Sequence, residues 1–230
     1  MSAKFWTGAI AGLAFGLIGA FVASNMQSKK EAAAPATDKP VEITETFHMV
    51  APDDGIATTH SGDKPLPLYP AGIGTLSDDA IKAGFILLTR LRDKDGHVIG
   101  FTSEQEVVSA ESDLTKGVLK TASTWTLTIP SRGTIFLDEV ENQTEFIQTA
   151  AVPALMQGKE WTGEQTFVTT AGPHASGQGL VTGGTGEFAG ISGTFAEVTH
   201  LRRFTPKGEL FGTIELQLKY TKPPTLASVD

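Results

Sequence analysis

Near the C-terminus, Leu210, Gly212, Ile214, Leu216, Leu218 and Tyr220 occupy every second position, and Phe211, Thr213, Glu215, Gln217 and Lys219 fall between them. Successive side chains of a strand point to opposite faces, so this order makes one dry face and one mostly wet face. Short runs of β-formers at the same period recur along the chain: residues 43–50, 85–92, 97–109, 125–129, 134–140, 162–170, 177–182, 193–204 and 210–220. Turn chemistry separates them. Asp93-Lys94-Asp95-Gly96, Pro130-Ser131-Arg132-Gly133 and Pro206-Lys207-Gly208 each sit between two such runs, at hairpin spacing. About nine strands joined mostly by hairpins predict an all-β fold, most simply a small antiparallel up-and-down β-barrel. A sandwich is the alternative closure.

Two stretches break the pattern. Residues 52–77 hold Pro52, Pro65, Pro67 and Pro70, which argues for a long ordered loop. Residues 149–161 read as a short helix or lid, with Val152, Leu155 and Met156 as its apolar contacts. Loops at a barrel mouth are placed to shape a ligand site.

Before the first strand, residues 5–23 carry no charge. As a helix this segment reaches ~28 Å, about the hydrocarbon thickness of a bilayer. Lys4 flanks one end; Lys29 and Lys30 flank the other. Gly8, Gly12 and Gly16 form a small-residue stripe that suits helix pairing. The reading is one N-terminal transmembrane helix with the barrel outside the cytoplasm. A cleaved signal peptide, with Val22-Ala23-Ser24 as the cleavage pattern, is the rival, and the product would then be secreted or periplasmic. The expected organisation is a membrane anchor over 1–26, a flexible linker over 27–40, a barrel over 41–222 and a tail over 223–230.

Formal net charge is −8, and no stretch concentrates Lys and Arg with aromatics. Such a surface repels phosphate backbones, so no nucleic-acid partner is expected. There are no cysteines, which excludes disulfides, a Cys metal site and a Cys nucleophile. His60, His97, His174 and His200 show no ligand spacing, and no metal site is expected.

The run Val181-Thr182-Gly183-Gly184-Thr185-Gly186-Glu187-Phe188-Ala189-Gly190-Ile191-Ser192-Gly193 resembles the glycine-rich signature of the allene oxide cyclase and dirigent protein superfamily. The Gly96–Gly100 and Trp125–Leu137 hairpins precede it in the expected order. No P-loop Lys or Ser follows, so these glycines read as backbone shape: positive φ and tight strand crossings. The resemblance implies an allene oxide cyclase-like barrel with an apolar cavity, often assembled as dimers or trimers. It also implies cyclase chemistry, or steering of a reactive intermediate, without metal or organic cofactor. In the cyclases a first-strand carboxylate and an Asn-held water act on the epoxide. Here His48 and Val50 stand at those places, a departure from the pattern.

Two residues are candidates for catalysis. His48 lies among Phe47, Met49 and Val50 and could act as acid or base in a cavity. Glu197 alternates with Phe195, Thr199 and Leu201, which points it inward, where burial would raise its pKa. Glu104 and Glu106 share one strand face, and Arg90 and Arg92 share a face of the neighbouring strand. Cross-strand ion pairing on the outside explains these four; on the inside, Arg90, Glu104 and Glu106 would floor a ligand cavity.

The expected function is a membrane-tethered, cofactor-free cyclase- or isomerase-like barrel acting on a small apolar molecule. The alternatives are a non-catalytic, lipocalin-like binding barrel for a lipid, terpenoid or phenolic ligand, and a structural or partner-binding module at the membrane. Ionisable groups at the cavity base favour the first, an entirely apolar cavity the second, and a cavity filled by side chains the third.

Overall fold

A computed structural model describes residues 39–60 and 75–223. The expected anchor, most of the expected linker and all but the first residue of the expected tail lie outside these residues. So does the centre of the proline-rich loop. Among the described residues no helix is long and apolar enough to cross a membrane.

The strands are β1 (Val41–Ala51), β2 (Gly55–His60), β3 (Gly84–Arg92), β4 (Val98–Val108), β5 (Lys120–Ile129), β6 (Gly133–Asn142), β7 (Trp161–Val168), β8 (Thr170–Gly172), β9 (Gly179–Gly184), β10 (Ser192–Phe204) and β11 (Leu210–Lys222). Eight of them form a closed antiparallel ring in the order β1-β11-β10-β9-β6-β5-β4-β3, with His48 opposite Arg92 where β1 meets β3. Closure leaves the ring no free edge, which is the physical gain of a barrel over an open sheet. The remaining strands lie off the ring. β2 pairs with β3; β7 and β8 take over from β9, pairing respectively with the later part of β10 and of β6.

Three differences from the sequence reading have clear causes. β2 falls in the stretch expected as loop, because the prolines flank it and its own residues are free to pair. The run expected over 162–170 is two strands, β7 and β8, interrupted at Thr169, whose N–H donates to the Glu197 carbonyl (3.2 Å). Helical residues begin earlier than expected, as Thr144–Phe146, a π-helical turn Ile147–Ala151 and Val152–Gln157. Its contact face is not Val152, Leu155 and Met156, all of which are exposed. Instead Ala150, Ala151 and Ala154, with Phe146 and Ile147, pack on Phe167, Leu201 and Phe204. Small residues win this face because they let the helical backbone sit close to the sheet.

The main core fills one end of the barrel: Phe47, Leu91, Trp125, Leu127, Ile129, Ile135, Leu137, Phe195, Leu216, Leu218 and Tyr220 all point inward. The glycine-rich segment closes that end. A Cβ on Gly193 would collide with the Lys219 carbonyl oxygen, and Gly186 holds φ +61° against the Arg132 carbonyl. Arg132 ties the end together. Its guanidinium donates to Glu187 at 3.0 Å and to Glu45 at 2.7 Å, and lies 4.6 Å from the centre of the Phe188 ring. Arg132→Ala removes these contacts. It is expected to cost about 1–3 kcal/mol, read as a lower urea midpoint at unchanged slope.

Candidate functional site

The apolar filling stops part-way along the barrel. On β5 the inward set runs Thr121, Ser123, Trp125, Leu127 and Ile129; on β6 it runs Ile135, Leu137, Glu139 and Glu141. Because these strands are antiparallel, the polar ends of both lie together, with Ser123 opposite Glu139 and Thr121 opposite Glu141. β4 adds Thr102, Glu104 and Glu106 at the same depth, and β10 adds Glu197 and Thr199. Five glutamates from three strands therefore converge inside the barrel. Glu104, Glu139, Glu141 and Glu197 are only 1–5% exposed, and Glu106 is half-buried.

Above this layer is a cavity of about 500 Å³. Met49, Phe85, Leu87, Phe146, Phe167 and Ile214 supply apolar wall, and Glu104, Glu106, Glu141 and Glu197 supply acidic wall. Pro52 and Gly55 at the β1–β2 bend and Gly208 and Glu209 at the β10–β11 turn also line it. No Lys, Arg or His is among these lining residues.

The donors within reach are unevenly shared. Glu139 receives two: Trp125 Nε1 donates to Oε1 at 2.8 Å and Thr170 Oγ1 to Oε2 at 2.6 Å. Thr170 Oγ1 in turn accepts from the Glu197 backbone N–H at 2.6 Å. Gln143 Nε2 donates to Glu141 at 2.7 Å and reaches Glu106 at 3.4 Å. Glu104 Oε1, Glu141 Oε1 and Glu197 Oε2 are buried with no hydrogen-bond partner. One carboxylate oxygen from each of Glu104, Glu139, Glu141 and Glu197 can be chosen so that all lie within 4.8 Å of one another.

Burial and mutual repulsion both disfavour charge here. Burial, then the Glu106 and Glu141 charges, pushes Glu104 well above the ordinary carboxylic value. Glu106 moves the same way through burial and the Glu141 charge. Burial, then Glu141 and Glu139, raises Glu197 well above it. Glu139 is pushed up to about 8, chiefly by burial and then by Glu141, against its two donors. Glu141 is raised by burial.

The other candidates lie elsewhere. His48 is on the outer face of β1, 3.6 Å from Glu215, whose carboxylate also lies 3.4 Å from His200. It does not line the cavity, because Phe47 and Met49 take the inward positions. Arg90 is exposed and donates to the Asp53 carbonyl at 3.0 Å. Arg92 pairs with buried Asp54 at 2.6 Å. The expected outer ion pairs of Glu104 and Glu106 with Arg90 and Arg92 do not form. Glu104 faces Leu87 and Glu106 faces Phe85 across the ladder, and Arg90 points the opposite way. Glu139, Glu141, Gln143, Trp125 and Thr170 were not among the expected site residues. Their signal was in the parity of β6, where Glu139 and Glu141 continue the face begun by Ile135 and Leu137.

No family model matches the chain, and no curated protein matches it. Among solved structures it is similar to a nonspecific heme-binding cyclase that catalyses [4 + 2] cycloaddition in neoabyssomicin biosynthesis. That match has 14% identity and a TM-score of 0.40, over 85% of this chain and 74% of that one. The Diels-Alderase AbmU from Streptomyces koyangensis matches at 12% identity and TM-score 0.38, over 85% and 75%. The pterocarpan synthase dirigent protein GePTS1 matches at 10% identity and TM-score 0.41, over 81% and 87%. Likenesses this distant decide neither fold nor chemistry, and the barrel assignment rests on the strand pairing itself.

Proposed function

We propose that this chain is a membrane-tethered, cyclase- or isomerase-like barrel that takes up a small apolar molecule and turns it over against the acidic wall of its cavity. The observation that carries this reading is the cavity itself: room for a small molecule, apolar on one side and lined by buried carboxyls on the other. A simple apolar binder has no use for several buried, mutually repelling carboxyls, whose desolvation is costly. Such groups in a cleft are the mark of a site whose chemistry needs them. The apolar wall would hold the substrate in one folded shape, and a carboxyl such as Glu197 or Glu104 would donate to an oxygen on it. The candidate catalytic group is therefore Glu197, with Glu104 and Glu106 beside it; His48, on the outer wall, has no route to the same substrate. Assembly as a homodimer or homotrimer, and a location outside the cytoplasm, remain part of the proposal.

The neutral dye N-phenyl-1-naphthylamine tests the cavity. We expect saturable binding that Ile214→Trp, which fills the cavity from β11, reduces at least tenfold while the circular dichroism stays native. A panel of neutral epoxides and dienes, resolved by chiral chromatography, tests turnover. Glu197→Gln is expected to abolish turnover and keep dye binding; full activity in that variant would remove Glu197 from the mechanism. Intact mass of the membrane fraction tests the tether: the full-length mass is expected, and a mature chain beginning near Asn25 would replace the anchor by a signal peptide.

A further inference from the structure

The glutamate cluster has a feature that acid chemistry alone does not explain. A hydrogen-bond donor aimed at a carboxyl stabilises its ionised form. Glu139 has donors on both oxygens and Glu141 has one from Gln143, which fixes the orientation of both carboxyls. They are held facing Glu104 and Glu197, which have no matching cation anywhere on the cavity wall. Three of the four residues also keep a carboxylate oxygen that no donor satisfies and solvent does not reach. Thr102, on the same face of β4 two positions before Glu104, keeps an unpartnered buried hydroxyl as well. Buried polar atoms in folded proteins are nearly always paired, and groups of exceptions point to something that completes them.

We propose that Glu104, Glu139, Glu141 and Glu197 form a binding site for a hard divalent cation of calcium size. The inference concerns the same acidic wall as the substrate reading above and does not rest on it. Four oxygens no more than 4.8 Å apart have a common centre no farther than about 2.9 Å from each, which leaves room for calcium–oxygen bonds of 2.3–2.6 Å, and magnesium's stricter octahedral demand suits carboxylates fixed on three strands less well. All-oxygen, all-carboxylate ligation selects hard ions over zinc or copper. Trp125, Thr170 and Gln143 would be the outer partners that fix ligand orientation. The cavity, lined by Glu104, Glu141 and Glu197, is the entry path. A divalent ion matches two of the four carboxylates, and the other two would keep their protons.

Trp125 touches Glu139 and so supplies an optical antenna beside the site. Full-length protein is stripped with chelator and titrated with Tb3+, exciting tryptophan and reading terbium emission. Saturable sensitised emission that Ca2+ competes away is expected, with a calcium-dependent rise in melting temperature. The Glu139→Gln/Glu197→Gln double variant is expected to lose at least tenfold in Tb3+ affinity and the whole calcium-dependent shift. Glu104→Gln, altered at a residue with an unpartnered buried oxygen, is the second variant and is expected to lose at least tenfold as well. Absence of saturable emission and of a calcium shift in the natively folded wild type would overturn the cation site and mean that the carboxyls share protons instead. Equal Tb3+ affinity in the folded variants would overturn it too. Because dye binding is read separately, failure here is distinguishable from failure of the substrate cavity.

Discussion

Chelator-treated protein is expected to lose roughly 4 kcal/mol of unfolding free energy through Glu139 alone as the pH is raised from 5 to 9. The direction follows from the sign of the shift. Glu139 titrates near 8 in the folded barrel against an ordinary 4.5. Between those values the native state keeps a proton that the unfolded chain has released. The stability tied to that proton is full below about 4.5 and declines until the pH passes about 8. Glu104, Glu106, Glu141 and Glu197 shift in the same direction and steepen the decline. Urea unfolding measured across this range reads the slope directly. Glu139→Gln is expected to flatten it by about one proton and to raise stability at pH 9. A stability that stays level or rises between pH 5 and 8 would show that the cluster is not desolvated as the structure has it.

Trp125→Ala is expected to cost about 4 kcal/mol or more, enough to leave the barrel marginally folded. The indole fills the boundary between apolar core and glutamate layer at 1% exposure, and its N–H is one of the two donors on Glu139. Two losses combine: a large core cavity, and a buried carboxyl with one donor gone. Trp125→Phe separates them. It keeps most of the ring volume and removes the N–H, so about 1–3 kcal/mol should remain as the cost of the orphaned oxygen. In a double-mutant cycle with Glu139→Gln, a coupling of about 1–2 kcal/mol is expected. A coupling near zero would mean that Trp125 acts by packing alone.

Much of the fold is legible in the order of the residues. The alternation of Leu210 to Tyr220 reappears as the inward row of β11, where Gly212, Leu216, Leu218 and Tyr220 are buried. The turns at Asp93 to Gly96 and Pro130 to Gly133 join the strands they were expected to join. The glycine-rich run holds positive φ at Gly183, Gly186 and Gly190. These are local properties, set by steric limits on a few neighbouring residues, and a chain carries them openly. The inward face of Glu197 was legible for the same reason.

The site was legible only one strand at a time. Parity on β4 could put Glu104 and Glu106 either with the arginines outside or against each other within, and the two readings have opposite chemistry. That choice depends on which face of β4 the closed ring turns inward, and closure is a property of all eight strands at once. Nor does local sequence reveal that Glu139 and Glu141, some thirty-five positions from Glu104 and over fifty from Glu197, end at the same depth. By itself, then, the sequence determined most of the strands, their turns and the two-sided alternation along them, because alternation and turn sterics act over a few residues. Only the tertiary structure decided that several like charges share one dry space, because desolvation and repulsion between distant strands exist only once the barrel has closed.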